Sequence, residues 1–101
     1  MTIRLLLIDD QEIFRQGLAK ILDTKEDLAV VGQAHHGQVG IALADDLQPD
    51  VILMDVRMPV CDGVTATREI HHRYPWIKII VLTTFDDDEY IWQSLQAGAI
   101  G

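Results

Sequence analysis

The sequence contains one cysteine, Cys61, so no internal disulfide can form, which agrees with a reducing compartment. Basic side chains are scarce. Eight Lys and Arg stand against sixteen Asp and Glu, for a formal net charge of −8. Phosphate backbones are held by positive charge, so this segment is a poor electrostatic match to DNA by itself. Long apolar runs are missing, and the first residues, MTIRLLLIDDQE, carry their acids too early for a secretory leader. A cytoplasmic protein without membrane association is expected. There is no linker, low-complexity run or internal repeat beyond an alternation of element types, which leaves one domain with a single core. The 49% hydrophobic content is that of an ordinary globular chain.

Short apolar runs alternate with helical patterns. IRLLLI (3–8), LAVVGQA (28–34), DVILM (50–54) and IKIIVLT (77–83) are strand candidates. The first, third and fourth are nearly continuous hydrophobe, the pattern of strands covered on both faces of a parallel sheet. Between them, Ile13, Phe14, Gly17, Leu18, Ile21 and Leu22 repeat at helical spacing, as do Val39, Ala42, Leu43 and Leu47, then Val64, Thr67, Ile70 and Tyr74. Pro49 and Pro75 follow the second and third helices, and a fourth helix, roughly 87–97, ends at Gly98. Repeated βα units predict an α/β, doubly wound parallel sheet whose ligands bind beyond the carboxyl ends of the strands.

That geometry gathers the acids. Asp9 and Asp10 end the first strand, Asp55 the third, and Thr83 with Thr84 the fourth. Asp9 precedes Glu12 by three residues, so it reads equally as a capping box, and Asp86 with Glu89 repeats the spacing. Asp55 admits no such reading, because the next helix begins only near residues 62–63. Three converging carboxylates repel one another and need protons or a cation to compensate. Mg²⁺ fits best: it accepts one or two carboxylates and a carbonyl and keeps waters that a phosphoryl group can replace.

Three segments, LLLIDDQEIFRQGLAKIL, PDVILMDVRMPVCDG and IIVLTTFDDDEY, resemble in order and spacing the receiver domain of two-component response regulators. The closest resemblance is to LuxR-type (NarL/FixJ-like) transcriptional regulators, and it spans the whole chain. It implies a flavodoxin-like sheet of order 2-1-3-4-5. By the same resemblance Asp55 accepts a phosphoryl group from a sensor histidine kinase. Asp10 binds Mg²⁺ directly, Asp9 assists through water, and the Arg57 backbone carbonyl supplies another ligand. Thr83 hydrogen-bonds the phosphoryl group. The resemblance further implies that the module is a phosphoacceptor rather than an enzyme with a separate substrate, that it forms homodimers, and that it controls a helix-turn-helix DNA-binding domain further along the chain. The family continues GA-x-G into a fifth strand bearing a lysine, then a fifth helix, whereas residues 1–101 stop at GAIG. The receiver domain is thus expected to be incomplete at its C-terminus, with order 2-1-3-4. The strand IKIIVLT should then be an open edge guarded only by Lys78.

Other features have plainer readings. The pairs His35-His36 and His71-His72 lack the ligand spacing of a zinc site and read as surface residues. Cys61 has only Arg57 nearby to depress its pKa and reads as a loop cysteine. Gly32, Gly37 and Gly40 do not form a dinucleotide fingerprint after the first strand. Trp76 and Trp92 read as packing or interface residues. Two functional rivals remain. An Asp-nucleophile phosphohydrolase needs a D-x-D after the first strand, where this sequence has DDQ. A receiver-like interaction or dimerisation module that is never phosphorylated stays open because residues 1–101 lack the family's lysine.

Overall fold

A computed structural model describes residues 1–55, 63–82 and 88–101. Its elements alternate as β1 (Ile3–Ile8), α1 (Glu12–Asp23), β2 (Leu28–Ala34), α2 (Gly37–Leu47), β3 (Val51–Asp55), α3 (Gly63–Arg73), β4 (Lys78–Leu82) and α4 (Asp88–Ala97). The four strands form one parallel sheet of order β2-β1-β3-β4, the expected doubly wound, flavodoxin-like order. β1 and β2 have the expected bounds. β3 is displaced by one residue, starting at Val51 rather than Asp50 and ending on Asp55 rather than Met54, and β4 begins at Lys78 rather than at residue 77.

One face of the sheet carries the main core. Leu6, Ile8, Ile52, Met54 and Ile79 project there, against Ala44 of α2, Ala66 and Ile70 of α3, and Ala99. α3 lies between α2 and α4 and touches both. Small residues set the approach of α2: Gly37, Gly40 and Ala44 are its buried positions, and a Cβ on Gly40 would collide with the Ile8 side chain. Ala42, expected in the buried stripe, is exposed. α2 closes on Gln48 in the left-handed region (φ 45°), directly before Pro49.

The opposite face is less covered. Alternate residues point there, and α1 packs over β1 and β2. Leu5 and Leu7 of β1 are buried, whereas Val51 and Leu53 of β3 and Ile80 and Leu82 of β4 are half-buried. The continuous apolar character of β3 is therefore matched by full cover on one side only, and on β4 Ile79 alone is fully buried while Val81 of the same face is half-buried. α1 departs from its expected stripe. Its buried residues are Arg15 and Ala19, while Ile13, Phe14 and Ile21 are exposed. The helical spacing is real, but much of the apolar stripe lies beside the seam instead of in it.

Among the described residues no fifth strand is formed as an element, yet β4 is not a bare edge. After α4 the chain turns at Gly98 (φ 123°), where any Cβ would strike the His71 ring. The Ile100 amide then donates to the Ile79 carbonyl (2.8 Å), and the Val81 amide to the Gly101 carbonyl (2.6 Å). Two groups of the expected open edge are thus paired by the chain itself. Trp76 and Trp92 are both more than half exposed. The Trp76 indole N–H donates to Gln48 Oε1 (3.0 Å), and its ring stands edge-on to Tyr74 at 5.7 Å. Among the described residues, no helix is long and apolar enough to cross a membrane.

Candidate metal and phosphoryl-acceptor site

The strand order places β1 between β2 and β3, so successive crossovers diverge at the β1/β3 junction. The carboxyl ends of two such strands bound a crevice, the usual ligand position in an open α/β sheet. Ile8 of β1 pairs with Met54 of β3, which brings the next residues, Asp9 and Asp55, level at that edge. Asp10 follows in the β1–α1 turn. One carboxylate oxygen from each of Asp9, Asp10 and Asp55 lies within 4.8 Å of the others. Asp9 is buried, Asp55 half-buried and Asp10 exposed.

The turn that carries Asp9 is fixed on every side. Its amide donates to the Ala34 carbonyl of β2 (3.0 Å), and its Oδ1 accepts the Gln11 amide (2.8 Å). Its carbonyl accepts Arg15 Nη1 (2.8 Å). The capping box expected of Asp9 and Glu12 does not form. The helix begins two residues later than the box requires: Gln11 is the N-cap residue, and Glu12 instead accepts from Gln16 one turn on (3.1 Å). Asp9 closes a tight turn before the helix, and the Gln11 bond does not exhaust a carboxylate with two oxygens and about four lone-pair sites.

Burial raises the Asp9 pKa above its ordinary value, and the Asp10 charge pushes the same way. The Gln11 amide, the Arg15 guanidinium and a hydrogen bond with Asp55 oppose that rise without cancelling it. A half-buried patch with three carboxyl groups so close favours any ligand that brings positive charge. Its donors are all oxygen, the set preferred by hard divalent cations such as Mg²⁺ and poor for zinc or copper.

Of the expected site residues, the structure brings Asp9, Asp10 and Asp55 together. Arg57, Thr83, Thr84, Phe85, Cys61 and Asp86 lie outside the described residues. His35, His71 and His72 are exposed, as expected. His36 has a role that the sequence reading missed: it is the N-cap of α2, and its Nδ1 accepts the Val39 amide (3.4 Å). Arg15 was also missed. It is buried beside the acids, bonded to Asp9 and, through Nε, to Gln33 Oε1 of β2 (3.0 Å). The available signal was its spacing, five residues after Asp10 and one turn before Ala19.

Residues 5–101 match the family model of the response regulator receiver domain. The transcriptional regulatory protein LiaR of Bacillus subtilis is 48% identical over 98 residues, which are 97% of this chain and 46% of LiaR. VraR of Staphylococcus aureus, a response regulator protein, is 44% identical over 97% of this chain and 47% of its own length. The chain thus spans about half the length of these curated relatives. Among solved structures, a LuxR-family two-component response regulator from Aurantimonas superposes with a TM-score of 0.91 at 28% identity, over 98% of this chain and 71% of that one. The receiver domain of a NarL regulator from Mycobacterium tuberculosis gives 0.88 at 30% identity, over 97% and 79%.

Proposed function

The chain belongs to the response regulator receiver domain family, and from that premise we propose that it accepts a phosphoryl group on Asp55 from the phosphohistidine of a sensor histidine kinase. The observation that carries this reading is the convergence of Asp9, Asp10 and Asp55 at the β1/β3 edge. Asp55 closes β3 and so projects from a rigid platform, which aims its carboxylate for in-line attack. A carboxylate oxygen of Asp55 forms the new O–P bond as the P–N bond of the kinase histidine breaks, and the imidazole leaves with the electron pair and takes up a proton. Asp10 and Asp9 would hold a divalent cation, together with Asp55 and the Arg57 carbonyl. Bound Mg²⁺ supplies charge neutralisation at the phosphoryl oxygens. Thr83 donates its hydroxyl to the phosphoryl group and carries the change toward α4.

The module is cytoplasmic, forms homodimers and acts on DNA only through a helix-turn-helix domain in the remainder of a longer regulator. Relatives twice its length that are named transcriptional regulators support that arrangement. The test is intact-mass and peptide mass spectrometry after incubation with acetyl phosphate and Mg²⁺. One phosphoryl group on Asp55, absent from Asp55→Asn, is expected. Label on another residue refutes the assignment, and an unlabelled but folded parent makes the module an interaction domain only.

A further inference from the structure

We propose that Arg15 is a positioning residue for the acidic site: it clamps the β1–α1 turn to β2 so that Asp9 and Asp10 are held ready for a cation before one arrives. The inference rests on the Mg²⁺ reading above. Among the described residues, the buried ionisable side chains are Asp9 and Arg15, and they belong to one network. The Arg15 Nη1 donates to the Asp9 carbonyl (2.8 Å) and its Nε to Gln33 Oε1 (3.0 Å). The Asp9 amide meanwhile donates to Ala34, the residue after Gln33 (3.0 Å). The turn is therefore tied to β2 at both the amide and the carbonyl of Asp9.

A guanidinium suits this task because its rigid fork serves two acceptors in fixed directions, which a lysine ammonium on a flexible stem does not. Burying the long, charged side chain is costly unless its donors are used, and here two of them are committed to the turn and to β2. The guanidinium donates to a backbone carbonyl, so the Asp9 carboxylate stays available to a cation. The expected effect is that of outer-sphere support at a metal site, where the supporting residue sets affinity without touching the ion.

The test is the MgCl₂ concentration at the midpoint of the rise in melting temperature, measured for the 101-residue chain and its variants. Arg15→Lys and Arg15→Met should both raise that midpoint about tenfold, the lower end of outer-sphere effects on metal affinity. Gln33→Ala, on an exposed side chain that is bonded to Arg15, should raise it by a smaller factor, and it serves where the Arg15 variants do not fold. A merely structural role lowers melting temperature and leaves the midpoint in place. A merely electrostatic role lowers the midpoint in Arg15→Met, since a repelling cation is gone, and leaves Arg15→Lys unchanged. Either pattern overturns the proposal. A parent whose melting does not respond to Mg²⁺ refutes the site reading itself and with it the role of Arg15.

Discussion

Replacing Asp10 by Asn removes one of three crowded charges while keeping the side-chain shape. Two unit charges at the 4.8 Å limit of the cluster repel by about 3.5 kcal/mol at an effective dielectric of 20 and by about 0.9 kcal/mol in bulk water. Asp10 is exposed, so screening pulls its share toward the lower figure, and about 1–2 kcal/mol of relief is expected for the metal-free protein. For a domain near this size that is a rise in melting temperature of roughly 5–10 °C. The assay is thermal unfolding followed by circular dichroism in EDTA, then over a range of MgCl₂. The parent should start lower and climb with Mg²⁺, because a ligand that binds only the folded state stabilises it. Asp10→Asn should start higher and stay nearly flat. The sign makes the test discriminating, since most substitutions destabilise. A variant that melts below the parent in EDTA, or that keeps the parent's Mg²⁺ response, refutes the charge-cluster reasoning.

Asp9 gives a pH dependence. Its folded pKa lies above the ordinary 3.8 because of burial first and Asp10 second. Its contribution to stability is then fully present below about pH 3.8 and is lost as pH rises through the folded value. Asp9→Asn, which still accepts the Gln11 amide, should flatten that part of the metal-free stability profile and raise stability at pH 7; an unchanged slope in urea titrations refutes it. In the core, Gly40→Ala should cost about 1–3 kcal/mol by overpacking against the fully buried Ile8, and unchanged urea unfolding would contradict the α2–β1 approach. In a full-length regulator, Thr83→Ala should leave Asp55 labelling largely intact and uncouple it from transcription, an idea that full activation by the variant would sink. Sedimentation at micromolar concentration should show self-association of this chain through the half-covered sheet face and the exposed Phe14 flank. Phe14→Asp should weaken it, and a stable monomeric parent ends that expectation.

The fold was legible because the strands are nearly pure hydrophobe and the helices are punctuated by Pro49, Pro75 and Gly98. Period and punctuation are local signals, and a parallel sheet with crossover helices follows from them. The acid cluster was legible for a related reason: a charge at the end of an apolar strand has few structural uses, and topology places all such ends along one edge. Helix faces were harder to read. The spacing of Ile13, Phe14 and Ile21 marks a helix, but which side of it packs depends on what lies across the interface, and there Arg15 and Ala19 occupy the seam over β1 and β2. A buried arginine is invisible to a hydrophobic count because its aliphatic stem packs like a hydrophobe while its head finds acceptors on other segments. The Asp9 carbonyl and the Gln33 side chain are such acceptors, six residues back along the chain and eighteen ahead. The acids themselves could be read from strand ends, but the support that holds them ready is a tertiary contact and becomes visible only when β2 is laid beside β1.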